Sequence, residues 1–515
     1  MRTREGAIVA VLGSVWLTGC ATSALEMAPE RPDRPWVPAT TQKGEIVAGA
    51  PQGPPTADGY VLPANPALEK IPSPPRVEAA KPYSLSGLID LAESNNPATR
   101  IAWNDARHAA LAAGIAESTF LPRITAGAIG GYQGANGRQT ALGTSFPNNN
   151  SLDGIVSAVS LQWLLFDFGE RAALVDAAKE LSVISNIAFT AAHQQLIYNV
   201  AIAFYNYAAA EARLTAARQS LKNARDVEAA AEDRYKHGVG TVTAVAQARQ
   251  GTAQANLAVV QSKGASEDAY LALITAMGVS PLTKIKIADV SGRKLSPSMA
   301  APVERIIAEA VARRPDVQTA YAAQKASLAN IRAARAEFMP KFFLLGSGTY
   351  SAGNLAVTSL PSGGEEPPTV NINGRHLGGS IFAGVSFPLY DGGTRQALLS
   401  QARSAADSAE SRLTQVRDDA VRQIVLADNA LTTSLSAYAA SQTLKRAAQT
   451  TFDSALAAYR SGVGSITDLT LAETQLLQAK NASTDAYSTA LSAAATLALA
   501  TGSLGSAPVF ADGGT

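Results

Sequence analysis

The sequence predicts a mainly α-helical chain with a β-barrel part, one unit written twice, in which long coiled-coil helices join pairs of β-strands. Three observations carry this. Residues 148–280 and 389–507 contain no proline, which leaves room for helices far longer than the globular average. The same punctuation recurs at nearly fixed offsets from residue 83 onward. Two stretches of about ten residues alternate apolar with small polar side chains, the spacing of a half-apolar strand.

The totals exclude several classes. Lys and Arg number 43 against 42 Asp and Glu, so no general attraction draws the chain to nucleic acid. A single Cys rules out an internal disulfide, an iron–sulfur cluster and a thiolate zinc site. The four His (His108, His193, His237, His376) form no metal-binding pair in sequence. Aromatic residues make up only 6%, and Ala dominates the apolar fraction, which suits close helix–helix approach. No constellation resembles an active site and no cofactor motif is present, so the reading is of a non-enzyme.

Residues 1–19 read as an export signal. Arg2 and Arg4 precede an apolar run too short to span a bilayer. The run ends in Leu17-Thr18-Gly19-Cys20, which resembles the bacterial lipobox. That resemblance implies a diacylglycerol and an N-acyl chain on Cys20, which becomes the first residue, and Ala21 after it implies sorting to the outer membrane. Residues 20–82 form a separate lead. Thirteen of the 26 Pro fall within 21–82, which predicts an extended tether or surface strap without helix.

The duplication organises the rest. Asn96-Pro97 opens a helical pattern that closes at Phe120-Leu121-Pro122; Arg314-Pro315 opens another that closes at Phe338-Met339-Pro340. Pro97 to Pro315 and Pro122 to Pro340 share an offset of 218. Farther on the offset is 224: Leu165-Phe166-Asp167-Phe168-Gly169 matches Leu389-Tyr390-Asp391-Gly392-Gly393, and Tyr235-x-x-Gly238-Val239-Gly240 matches Tyr459-x-x-Gly462-Val463-Gly464. The first repeat covers 83–278, a linker 279–302, the second repeat 303–502, and a tail 503–515.

Each repeat reads as helix, hairpin, then two long helices. A helix from Gly169 to about Arg234 would measure about 100 Å at 1.5 Å per residue, and its partner runs from about Val242 to Met277. Leu174, Ala178, Leu181, Ser185 and Ala188 follow the coiled-coil spacing. Asp167 and Asp391 stand where N-caps belong, and Asp167-x-x-Glu170 has capping-box spacing. Before them, Ile155, Ser157, Val159, Leu161, Trp163 and Leu165 share one strand face, with Ser160 and Gln162 on the other. The second repeat gives Ile381, Ala383, Val385, Phe387 and Leu389 against Ser380, Gly384 and Ser386. This is the transmembrane β-barrel pattern. Partner strands fall at about 123–133 and 341–351, with polar loops expected over 136–153 and 353–376.

Four strands cannot close a barrel, and unpaired backbone in lipid costs several kcal/mol per group, so several chains would have to share one barrel. The ordered pairs NNP and RRP, FLP and FMP, LFDFG and LYDGG, and YxxGVG twice, together resemble the TolC-family outer-membrane efflux and secretion ducts, of the lipid-anchored branch, over about residues 83–505. The resemblance implies a homotrimer with a twelve-stranded barrel in the outer membrane of a Gram-negative bacterium and a periplasmic helical tunnel. It implies a small equatorial domain from the short helices 85–93 and 303–313 with 279–302. It also implies two partners: a periplasmic adaptor, and an inner-membrane pump of resistance-nodulation-division or ATP-binding cassette type.

Gly238, Val239, Gly240 and Thr241, with Gly462, Val463, Gly464 and Ser465, read first as helix reversals, since glycine tolerates positive φ. The resemblance adds that they are the tips that meet the adaptor. It places Tyr459 and Asp468 at a periplasmic gate, while Gly464 and Leu471 stand where the family carries further gate charges, and the first repeat has Ala244 where Asp468 lies in the second. Asp468 reads equally as a solvated helix residue. Expected cargo is small molecules, with polypeptide secretion as the alternative. A lipoprotein scaffold without a pore is the reading of a different class.

Overall fold

The computed structural model describes residues 27–29, 31–49, 60–70, 77, 82–141, 144–288, 295, 307–358 and 369–505. The signal 1–19, Cys20, positions 303–306 and the tail beyond 505 lie outside the described residues. The chain divides into two compact units, Met1–Arg76 and Val77–Thr515. In the first, Ala39–Thr40 pairs antiparallel with Ile46–Val47, and Pro66–Leu68 forms one 3₁₀ turn capped by Asn65. The expectation of no helical turn in the lead is corrected there: Pro66 at the first turn pre-sets φ and wastes no amide donor.

The second unit follows the duplicated plan. Helix α1 (Leu85–Asn95) and α2 (Pro97–Ser118) lead to strands β1 (Arg123–Ala141) and β2 (Thr144–Phe166), then to α3 (Glu170–Lys236) and α4 (Val242–Ala276). The second copy is α5 (Ile307–Arg313), α6 (Pro315–Ala336), β3 (Lys341–Thr358), β4 (Thr369–Ser386), α7 (Thr394–Arg460) and α8 (Ile466–Ala500). Helices α3 and α7 have 67 residues each, about 100 Å. Among the described residues no helix is long and apolar enough to cross a membrane.

Strands β1–β2–β3–β4 form one antiparallel meander, with β1 and β4 at its edges. The hairpins outrun the sequence reading. Residues 136–141 and 144–153 are paired strand where a loop was expected, and so are 353–358 and 369–376. Ladder hydrogen bonds come from the backbone, so Gly- and Asn-rich segments continue the sheet after the apolar alternation has stopped. β4 in turn stops at Ser386, before Phe387 and Leu389, because Pro388 has no amide to donate.

The long helices change neighbours halfway along. In its first half α3 forms ion pairs with α2 (Lys179–Glu117) and α6 (Arg332–Asp176, Lys325–Glu180). In its second half it meets α4 (Arg249–Glu232) and α8 (Arg213–Asp485). The changeover has a local cause. Asn96, the cap of α2, donates to the Ala276 carbonyl at the end of α4, at 3.3 Å. Its counterpart Arg314 donates to the Ala500 carbonyl at the end of α8, at 2.9 Å. Each short helix therefore stands end to end on a long one, and the residue before each proline satisfies an orphan carbonyl.

Around this level lies the largest core cluster, with Leu88, Ile197, Val200, Phe204, Leu273, Ile274 and Met277. The parallel pair Pro82–Tyr83 with Lys286–Ile287 ties the predicted linker to the start of the unit. The expected seam on α3 is not the buried one. Leu174 and Leu181 are exposed, while Arg171, Ala173, Val175 and Ala177 are buried. A helix in a wall has a neighbour on each flank, so two narrow stripes are buried in place of one broad face.

Candidate functional site

The first candidate region is where α3 turns into α4 and α7 into α8. Gly238 and Gly462 have φ of +74° and +89°, the left-handed conformation that ends a helix. The Val239 amide donates to the Arg234 carbonyl and the Val463 amide to Ala458, closing both turns in the same way. A Cβ on Gly240 would come 2.8 Å from the Tyr235 backbone nitrogen, and one on Gly464 2.9 Å from that of Tyr459. Thr241 and Ser465 then cap the next helices, accepting from the amides of Ala244 and Asp468. Val239 and Val463 point outward, 66% and 85% exposed. The eight tip residues thus form two matching exposed turns.

The two gate residues occupy different environments. Tyr459 is 4% exposed, in a cluster with Val227, Ala231, Phe452 and Leu469. Asp468 is exposed, and its carboxylate accepts the Ser465 hydroxyl at 2.7 Å while Ser465 accepts the Asp468 amide at 3.0 Å. Ser465 is thus the N-cap of α8 and Asp468 holds its hydroxyl, so the helix-residue reading of Asp468 has a concrete geometry.

What links the two repeats here is Arg234. Its Nη1 donates to the Tyr459 carbonyl at 2.5 Å, and its guanidinium lies 5.0 Å from the centre of the Tyr459 ring. Nη2 makes a long contact of 3.5 Å with the Val239 carbonyl. One side chain therefore touches both turns. The sequence reading passed over it, although the duplication carries a signal: at the offset of 224 the counterpart of Arg234 is Ala458.

A second unforeseen residue is Glu473 on α8. It is 9% exposed, and Ser220 on α3 donates to it at 3.3 Å. Burial pushes its carboxyl up to about 7, against a small lowering from Ser220. Its counterpart in the first repeat is Arg249, which is exposed and pairs with Glu228 and Glu232.

The junctions between strand and helix are asymmetric in the same way. Asp167 sits two residues before the formal cap, Gly169, which has φ +94°. The expected cap position is corrected, but the chemistry holds: Asp167 accepts the amides of Gly169 and Arg171, and the Arg171 Nε at 2.7 Å. Arg171 also donates to the Thr119 carbonyl and stacks 4.7 Å from the Phe120 ring. Asp391 and Arg395 repeat this with the Pro388 carbonyl and Phe338. The pair explains why FLP and FMP recur: each Phe supports the guanidinium that its junction needs. Burial alone would raise the Asp167 carboxyl, but hydrogen bonds and charge from Arg171 outweigh it and hold it below its usual value. Glu170 closes no capping box; it forms an ion pair with Lys341 at 2.6 Å, joining the two repeats.

Across the sheet the alternation resolves into rows. Thr125, Ser160, Ser347 and Ser380 stand opposite one another on all four strands. The hydroxyls of Thr125 and Ser160 are 2.6 Å apart and those of Ser347 and Ser380 2.8 Å. The next row on the other face is Ile124, Leu161, Gly346 and Ile381.

Comparison with known proteins places this architecture. The profile of the family described as outer membrane efflux protein matches residues 88–279 and 306–503. Protein CyaE of Bordetella pertussis is 29% identical over 367 residues, 71% of each chain. Outer membrane protein OprJ of Pseudomonas aeruginosa is 28% identical over 365 residues, 70% of each. The solved structure of the outer membrane protein VceC from Vibrio cholerae superposes with a TM-score of 0.65 at 19% identity, covering 81% of this chain and 96% of that one; at that identity the likeness concerns the fold.

Proposed function

The chain belongs to the outer membrane efflux protein family, and on that premise we propose how its parts make an exit duct across the outer membrane. The observation that carries the reading is the open-edged four-stranded sheet, apolar on one face and hydroxyl-lined on the other, continuous with two helices of 67 residues. In lipid both edges must find partners, and two further copies supply them in a twelve-stranded barrel. The hydroxyl row then lines the lumen and the long helices continue it as a periplasmic tunnel. The duct is passive; a pump in the inner membrane, of resistance-nodulation-division or ATP-binding cassette type, supplies the energy.

The exposed turns at Gly238–Thr241 and Gly462–Ser465 are the docking points for a periplasmic adaptor. Tyr459 and Asp468 belong to the gate just beyond them: Tyr459 is held in place by Arg234, and three Asp468 carboxylates, one per copy, form a ring that favours cations. Cys20 carries the acyl chains that add a lipid anchor. Small toxic molecules are the cargo.

Two measurements test this. Purified full-length protein in a planar bilayer should show discrete conductance steps; a folded protein with none would favour the scaffold reading. Deleting the gene should sensitise cells to small toxic compounds. Loss of a secreted polypeptide with unchanged sensitivity would move the cargo to protein secretion.

A further inference from the structure

The two repeats fix how steeply the strands climb, and this determines how neighbouring copies must pair. Arg123 and Lys341 follow equivalent prolines and open β1 and β3. Crossing the sheet from Arg123 leads to Gln162 and then to Leu345, four residues beyond Lys341. The descending strands give the same step. By the repeat offset Gln162 corresponds to Ser386, but the crossing arrives at Phe382, four residues short of it. Each passage from the first repeat to the second therefore staggers by four.

A barrel of three identical chains, on which this inference rests, adds two conditions. Every copy contributes the same stagger. That stagger is even, since an odd step would turn the hydroxyl face outward. The total is then twelve, eighteen or twenty-four residues. With the usual rise and strand spacing these correspond to tilts of about 35°, 47° and 55°. Membrane barrels tilt by about 35–45°, which excludes 55° and leaves 35° and 47° near the two ends of the range.

Side chains decide between the other two. At eighteen each copy contributes six, four within the chain and two at the junction between chains. Ser386 of β4 then faces Thr125 of the next copy, a third hydroxyl pair beside Thr125–Ser160 and Ser347–Ser380. The row Gly131, Gly154, Gly353 and Gly374 runs on into Gly137 of the next copy. Leu377 and Ile381 meet its Gly134 and Gly130, and Gly379 meets its Tyr132, large against small at these three positions, while Phe382 meets its Ile129. At twelve, Ser386 faces Arg123 with no hydroxyl pair, and the junction has no stagger although the equivalent junction inside the chain has four.

We infer that β4 of one copy pairs antiparallel with β1 of the next in the register that sets Ser386 opposite Thr125, Ser380 opposite Gly131 and Gly374 opposite Gly137. Directly opposed residues have Cα atoms about 4.5–5.5 Å apart, within disulfide reach; a slip of two residues carries them beyond about 7 Å. The test uses the full chain with three cysteine pairs, each read on a non-reducing gel against its single-cysteine variants. Ser386→Cys with Thr125→Cys should give covalently linked trimer. Ser386→Cys with Arg123→Cys, or with Gly127→Cys, should stay at background. Linkage through either of the latter and not through Thr125 overturns the register. So does an intact trimer that none of the pairs links. A protein that runs as a monomer in native mass measurement overturns the trimeric closure itself.

Discussion

Replacing Arg234 by alanine should open the tip of the second repeat without unfolding the chain. The guanidinium contributes one charge-assisted hydrogen bond to the Tyr459 carbonyl at 2.5 Å and a ring contact at 5.0 Å. Such a bond is worth about 1.5–3 kcal/mol, and the ring contact at a half-buried site about 0.5–1 kcal/mol. Taking the low end of both gives about 2 kcal/mol, a factor of about 30 in a local opening equilibrium. The Gly462 amide donates to the same Tyr459 carbonyl, and the amides of Val463 and Gly464 to Ala458, so these three report the opening. Amide hydrogen exchange by mass spectrometry on the full chain should show segment 459–465 exchanging about 30-fold faster in the variant. Arg234→Lys, with charge but no planar fork, should fall between. The first turn, 237–241, should change less, because the Arg234 side chain reaches it only through the long 3.5 Å contact with the Val239 carbonyl. Exchange within twofold of the unmodified protein at 459–465 would refute the idea that Arg234 holds the two turns together.

Glu473→Gln should remove a pH dependence. The unfolded carboxyl titrates near 4.5 and the folded one near 7, so between these values the folded chain holds a proton that the unfolded chain has lost. Stability therefore falls as pH rises through that window and is flat above it; glutamine should flatten the slope and add about 1–2 kcal/mol at pH 8. Unfolding midpoints at pH 5 and pH 8 measure this, and equal slopes in both proteins would contradict it. Asp167→Ala strands the buried Arg171 guanidinium and should cost about 3–5 kcal/mol, seen as a lowered midpoint or faster proteolysis. Asp391→Ala, whose partner pair is more open to water, should cost less; the reverse order would undo the asymmetry argued between the junctions. Asp468→Ala should weaken the cation selectivity or cation block of the reconstituted pore, and unchanged conductance and selectivity would remove Asp468 from the gate.

By itself, the sequence determined the order of the elements and the punctuation that divides them in both repeats. Within the proline-free stretches 148–280 and 389–507, the junctions at Asp167–Gly169 and Asp391–Gly393 and the turn glycines delimited α3, α4, α7 and α8 to within a few residues. The offset of 218 placed Asn96 and Arg314, Phe120 and Phe338 in equivalent positions, and the glycines marked both turns. These signals lie within a helical turn or a strand pair of the residues they govern, so one strip of sequence contains them.

Tertiary structure alone decided what depends on a distant neighbour. The stripe at Leu174 and Leu181 has perfect coiled-coil spacing and is nonetheless exposed, because α2 and α6 cover the flanks of α3 and leave that stripe between them. Residues 136–153 look like loop, yet most of them pair, because the opposite strand offers backbone groups regardless of side chain. Arg234 and Glu473 gain their roles only where the second repeat is laid against the first, with partners more than 200 positions away. The duplication announces two equal halves; lateral packing makes them unequal, since each repeat contributes a different helix flank to the contact they share.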